Sequence, residues 1–444
     1  MFRGEDAEPI KLDYDREVDI RPGAGIFSRP FFWGGKAYFG SLDKKIYCLD
    51  SKTGDPVWNY VTNGLISALP VVQDGILFIT SWDGCCYALD AETGELLWRF
   101  MTGGRCLSSP AVVDGNVFFG SNDKHFYCID SDGNLVWKFI SGDINNGGAA
   151  VVNGRVIFVS YDNNFYCLDK NSGNLIWKFR TGGHTTAVFP TVVDDKFNEI
   201  WGLDKRLEEG KAEKGIIFAG SSDRHLYAVT LDGRLYWKFL TGSWPATSAC
   251  VFRKNAYFSS YDMHIYCVDA ETGVFRWRYI TGKGSESTPL IHNNTLYVGS
   301  MDTNLYALGL DGSFKWRFKT NGGVNCSPAI NDNKLYVGSF DGKLYCLSLE
   351  GELIWDFQTG FGEPAVLSDS TQKILERLEK TKIISFFKPE TIQRTESGQL
   401  AKAFYSVKTD PAFLQESAGL YKSQPTYRTM TPYTQGQKKG YESK

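Results

Sequence analysis

Eight tryptophans set the frame of this chain. Trp58, Trp98, Trp137, Trp177, Trp237, Trp277, Trp316 and Trp355 each sit in a phrase such as "GNLVWKF" or "GELIWDF". They are spaced 40, 39, 40, 60, 40, 39 and 39 residues apart. A unit of that size cannot bury a core alone, so neighbouring units must stack. Two copies, "LDAETGELLWRF" at 89–100 and "VDAETGVFRWRY" at 268–279, nearly coincide.

Each unit reads as four short strands. In residues 107–141 they are "SSPAVVD", "NVFFGS", "HFYCID" and "NLVWKFI", with Gly, Asp and Asn at the joins. "LDAETGE" is the turn between the third and fourth strands, and its Gly94 is expected to adopt a positive φ. The pattern predicts an all-β fold, an eight-bladed β-propeller of four-stranded antiparallel blades. The blades are expected at 25–63, 64–103, 104–142, 143–182, 183–242, 243–282, 283–321 and 322–360, after a polar lead-in at 1–24. The long interval places a helical insertion at 194–215, between the first and second strands of blade five. Residues 361–444 lose the repeat. "STQKILERLEKTKIISFF" has helical spacing, and the polar stretch after Pro389 has little to bury, so a short helical or irregular extension ending in a flexible tail is expected.

Two further positions recur in every unit. An Asp closes an "S-x-D" turn (Asp43, Asp83, Asp123, Asp162, Asp223, Asp262, Asp302, Asp341), and a Tyr follows in the third strand (Tyr47, Tyr87, Tyr127, Tyr166, Tyr227, Tyr266, Tyr306, Tyr345). A residue present in every blade serves the blade. Asp closes turns by accepting nearby backbone N–H groups, so these eight carboxylates read as structural rather than metal-binding. Five of the ten cysteines share one phrase position, "YCLD", where other copies carry Ala88, Ala228 and Ala307. A site that takes only Cys or Ala wants a small apolar side chain, which implies reduced, structural thiols.

Charge and hydropathy narrow the function classes. Lys+Arg total 48 against Asp+Glu 51, which gives no support to nucleic-acid binding. No apolar run is long enough to span a membrane. The opening "MFRGEDAEPIKLDYD" is acidic and lacks the pattern of a secretory signal, so a cytoplasmic location is expected.

The phrase "D-A-E-T-G-x-x-x-W" at a period near 40 resembles the tryptophan-docking repeat of the pyrroloquinoline quinone (PQQ) dehydrogenase propellers, over residues 25–360. The resemblance implies eight blades, with each Trp packed between adjacent blades. The repeat is similar, too, to that of the barrel-assembly lipoprotein propellers, which are non-enzymatic scaffolds. A dehydrogenase of this kind would need a cofactor slot, a calcium site, an Asp base and a vicinal disulfide against the quinone. The chain does contain adjacent Cys85 and Cys86, in "SWDGCCYALD". The repeat places both at the entry to a third strand, where neighbours point to opposite faces, so ordinary strand thiols are expected. His125, His184, His225, His264 and His292 lack ligand spacing. His125, His225 and His264 share one strand-three position, where exposed side chains are expected. No catalytic residue, cofactor or metal is therefore expected.

Recognition is expected where the repeat varies. The loops from strand four to strand one of the next blade share a face with the turns from strand two to strand three. The candidate partner-binding residues there are Arg29, Trp82, Arg105, Asn145, Asn146, Tyr161, His184, Trp244, Tyr261, Lys283, Glu286 and Phe340. Aromatics with Arg match the composition of interface hot spots, although they could equally pack on neighbouring loops. The reading is a non-enzymatic scaffold that presents this face to a protein partner. A PQQ- or metal-dependent dehydrogenase and a small-ligand or glycan sensor are the alternatives.

Overall fold

A computed structural model of the chain describes residues 25–185, 189–194, 215–245 and 247–360. The chain divides into two compact units, Met1–Gln372 and Lys373–Lys444, and every described residue lies in the first. The expected lead-in, the helical insertion of blade five and the C-terminal extension all lie outside the described residues.

The described chain forms eight four-stranded antiparallel sheets, each built from four consecutive strands in sequence order. In blade one these are Phe31–Trp33, Lys36–Gly40, Lys45–Asp50 and Pro56–Val61. In blade eight they are Ala329–Asn331, Lys334–Gly338, Lys343–Leu347 and Leu353–Gln358. The architecture is an eight-bladed propeller. First strands of successive blades touch one another, so they line the axis. Second and third strands are almost wholly buried, as "NVFFG" and "HFYCID" illustrate. The fourth strand is the outer edge and exposes side chains such as Leu96, Leu97 and Met101.

The tryptophans join the blades. Each indole packs on a glycine in the turn between strands three and four of the next blade: Trp58 on Gly94, Trp98 on Gly133, and so on to Trp355 on Gly54. These eight glycines have φ between 70° and 90°. A Cβ added to any of them would lie 2.6–2.9 Å from the ring. Each indole Nε1 also donates to a backbone carbonyl of that turn at 2.8–3.2 Å, so the polar edge of the half-buried ring is satisfied. Trp355 packs on Gly54 in the same way and bonds Lys52 O at 3.1 Å, one residue beyond the carbonyl used at the other joints, so blade eight docks on blade one. Ile26 adds to that joint, with its N–H on Ser339 O at 3.0 Å and its side chain in a core with Phe39 and Leu344.

The rule of Cys or Ala follows from the same indole. The small residue stands directly across the ladder from the Trp, as in Cys48↔Trp58 and Ala88↔Trp98. A bulge follows immediately in all eight blades. A larger side chain there would displace the indole from its glycine. Cys85 and Cys86 point to opposite faces and enter two separate inter-blade cores, and all ten cysteines are free.

Two glycine variants separate indole packing from backbone strain. Gly75 has φ 79° with nothing near its missing Cβ, whereas Gly94 has φ 75° and faces Trp58. Gly75→Ala should cost about 1–2 kcal/mol in chemical denaturation, from the left-handed backbone alone. Gly94→Ala should cost a further ~1–3 kcal/mol, from overpacking. Equal losses would mean that the docking contact contributes nothing.

Candidate functional site

The loop face rests on the repeated Asp–Tyr pair. In every blade the Tyr hydroxyl donates to the Asp carboxylate of the S-x-D turn at 2.5–2.7 Å. The other carboxylate oxygen accepts the backbone N–H two residues on. In blades two to eight the Asp also accepts a backbone N–H from the preceding blade's outgoing loop, at 2.6–3.0 Å. At the closing joint the Gly360 N–H instead donates to the Tyr47 hydroxyl at 3.2 Å. The carboxylates therefore tie each loop to its neighbouring turn and are fully engaged.

His125, His225 and His264 are not exposed as the strand pattern suggested. Their rings are half-buried against Tyr127, Tyr227 and Tyr266, with Nδ1 within 2.8–3.2 Å of the carbonyl of the turn Asp. The Asp turn pulls the ring back over the strand end, which the alternation of a pleat does not reveal.

The variable residues of the S-x-D turns are all half-buried. Tyr161 stacks on His184 at 5.0 Å, His184 meets Trp244 edge-on at 5.2 Å, and Trp244 contacts Tyr261 at 5.6 Å. This run of rings crosses blades four, five and six without a break. Ser222 lies 3.0 Å from His184 Nδ1 and fixes the imidazole, whose pKa is lowered by burial. Trp244 Nε1 is buried with no hydrogen-bond partner among the described residues. On blade two, Trp82 donates to Ser67 Oγ at 2.9 Å and lies under the exposed Arg105 guanidinium, 5.8 Å from the ring centroid. Phe340 stacks on Phe27 at 6.1 Å at the closing joint.

The remaining candidates divide. Lys283 is exposed on its loop. Asn145 is fully buried, and its amide exchanges hydrogen bonds with Ser141, so it holds the loop and is not available to a partner. Asn146 is 5% exposed, with a side-chain oxygen that lacks a partner among the described residues. Arg29 is solvent-exposed, and desolvation lowers its pKa against the opposing influence of Cys326 and Cys250. Glu286 is half-buried, and desolvation pushes its carboxyl up to about 7. Ser67, Ser222, Phe27 and Asn325 were not singled out from the sequence. Asn325 accepts the Glu286 N–H at 3.3 Å. Their only sequence signal is that they occupy variable positions of the loops and turns on this face.

The family model described as "Outer membrane protein assembly factor BamB" (PQQ_2) matches residues 15–122, 42–143, 127–279 and 261–401. The chain belongs to this BamB-type family. Solved structures of similar shape include BamB from Moraxella catarrhalis, at 18% identity and TM-score 0.59, covering 76% of this chain and 95% of that one. The computationally designed Ika8 protein is similar at 15% identity and TM-score 0.60, covering 74% and 97% respectively. At such identities the likeness concerns the fold. No curated protein matches the chain.

Among the described residues of this BamB-type chain, the vicinal cysteines do not fit a PQQ group. Cys85 and Cys86 are 2% and 0% exposed, on opposite faces of their strand, so they could not form a ring against a quinone. Among the described residues no group of three or more His, Cys, Asp or Glu could hold a metal ion.

The pKa shifts give two pH signatures. Asp123, Asp223 and Asp302 lie below the usual aspartate value: burial opposes their charge, but the Tyr hydroxyl and backbone N–H groups outweigh it. The phenols of Tyr227, Tyr266 and Tyr306 are pushed up to about 12, by burial first and then by the adjacent Asp. A depressed acid contributes stability above its unfolded value that is lost as pH falls through its folded one. A raised acid contributes stability below its unfolded value that is lost as pH rises. Denaturant midpoints should therefore fall below about pH 4 and again above about pH 10. Glu286, also raised, should withdraw stability between pH 4.5 and about 7. Glu286→Gln should flatten that interval, and an unchanged slope in the variant would contradict its desolvated placement.

Proposed function

We propose that this BamB-type propeller is a non-enzymatic scaffold that binds a protein partner through its loop face. The observation that carries the reading is the unbroken run Tyr161–His184–Trp244–Tyr261, built from positions that the blade itself leaves free. Large rings held rigid by their neighbours lose little conformational entropy on binding, which suits them as anchors. Trp82 under Arg105 offers a second anchor on blade two. The BamB relatives are named as factors in outer-membrane protein assembly, which supports a role among other proteins rather than on a small substrate. Ten free cysteines, nine of them buried, support a reducing location such as the cytoplasm.

A second reading, small-ligand sensing in the channel, draws on Arg29 and Glu286. Neither side chain has a hydrogen bond or ion pair among the described residues, and both sit where the surrounding protein desolvates them.

Affinity capture from native cells tests the first reading, with wild type compared with Trp82→Ala/Trp244→Ala. A specific protein recovered by wild type should fall at least about tenfold with the variant, as hot-spot truncation does. The variant's circular dichroism should stay native-like. Equal recovery would remove the loop face from partner binding.

A further inference from the structure

On the opposite face, described turns between strands one and two meet the next blade's turn between strands three and four across a groove. Several grooves are closed by a charged side chain. Lys36 pairs with Glu92 across joint one–two, and Lys170 with Asp114 at 2.5 Å across joint three–four. Arg155 reaches Leu231 O at 2.8 Å across joint four–five, and Lys334 reaches Lys52 O at 3.3 Å across the closing joint. Arg155 and Lys334 share one repeat position, the first residue of the second strand. The carbonyls they reach are those that the docked Trp177 and Trp355 also use.

Joint six–seven has no such bridge. The repeat position is occupied by Asn255, whose amide turns back toward Arg253 O at 3.4 Å and does not cross the groove. The result is a cavity of about 390 Å³ lined by Arg253, Lys254, Asn255, Arg276, Trp277 and Asp311, among others. Arg253 and Lys254 are exposed, and neither side chain has a hydrogen bond or ion pair among the described residues. Arg253 sits over the Phe252 ring, 5.1 Å from its centroid. Of the acids at the rim, Asp269 is committed to Arg276 at 2.7 Å and to its own turn. Asp311 is committed to Ser313. Arg253 and Lys254 thus stand without an ion-pair partner beside a groove whose counterparts at joints one–two, three–four, four–five and eight–one are bridged.

We propose that the groove between blades six and seven binds a small multivalent oxyanion, a phosphate- or carboxylate-bearing molecule, gripped by Arg253 and Lys254. A planar guanidinium and an ammonium converging on one cavity suit paired anionic oxygens. The site is separate from the loop face and stands whether or not a protein binds there.

The repeat supplies its own controls. Asn293 and Asn294 hold the equivalent turn of blade seven, with φ 47° and 54° against 47° and 64° for Arg253 and Lys254. Arg253→Asn/Lys254→Asn therefore removes both charges in a backbone that accepts Asn. Asn255→Arg copies the plug of blade four. Isothermal titration of the full chain with pyrophosphate and with citrate, at low ionic strength, reads binding directly. Wild type should bind at least one of them, and the preferred anion tells phosphate from carboxylate chemistry. The double variant should weaken that binding at least about tenfold by losing both charge-assisted contacts, with an unchanged melting temperature. Asn255→Arg should abolish it. No binding of either anion by wild type would overturn the proposal, as would binding that survives the double variant.

Discussion

The contact of an indole with a glycine of the next blade is what the rest of the structure depends on. It explains three features of the repeat at once. The glycine must be left-handed and lack a Cβ, because any side chain would enter the ring. The residue across the ladder must be Cys or Ala, because the indole lies against it. The turn must present a carbonyl to Nε1. Since each Trp belongs to one blade and each glycine to the next, the contact joins units without any strand exchange. The ring closes when the eighth copy meets the first: Trp355 packs on Gly54 as the other seven indoles pack on theirs, with its Nε1–H on the carbonyl one residue further along the turn.

The Asp–Tyr pair does the corresponding work on the loop face. It seats each outgoing loop on the neighbouring turn, so the loops are short and held at both ends. A rigid rim of this kind positions whatever the variable residues offer. The cost is that most of those residues also touch one another, and their rings are half-buried rather than projecting. The loop face therefore carries a continuous aromatic band across blades four to six, with the exposed Lys283 on the loop that follows, while the exposed Arg105 stands over Trp82 on blade two.

Much of the fold was legible because the repeat is one-dimensional information. The Trp interval, the Gly in "DAETG" and the Cys-or-Ala rule each report a local contact that recurs eight times. The opposed faces of Cys85 and Cys86 followed from pleat alternation alone. The site was less legible, because its contacts join residues unrelated by the repeat. Nothing in "SGDINNGGAA" separates Asn145, which is locked to Ser141, from Asn146 beside it. Exposed strand positions for His125, His225 and His264 assumed an ideal pleat, and the Asp turn overrides it. The empty groove at Asn255 was invisible for another reason. It is an absence, seen only after Arg155 and Lys334 are found filling the equivalent places.

Closure of the ring by the same indole–glycine docking that joins the other blades is the central claim. Hydrogen exchange of the indole Nε1–H groups, resolved by NMR of the full chain labelled at tryptophan, tests it most directly. The account predicts that the Trp355 indole exchanges as slowly as those of Trp58, Trp98, Trp137, Trp177, Trp237, Trp277 and Trp316. Rapid exchange at Trp355 alone, with the other seven protected, would show an open array of blades and contradict it.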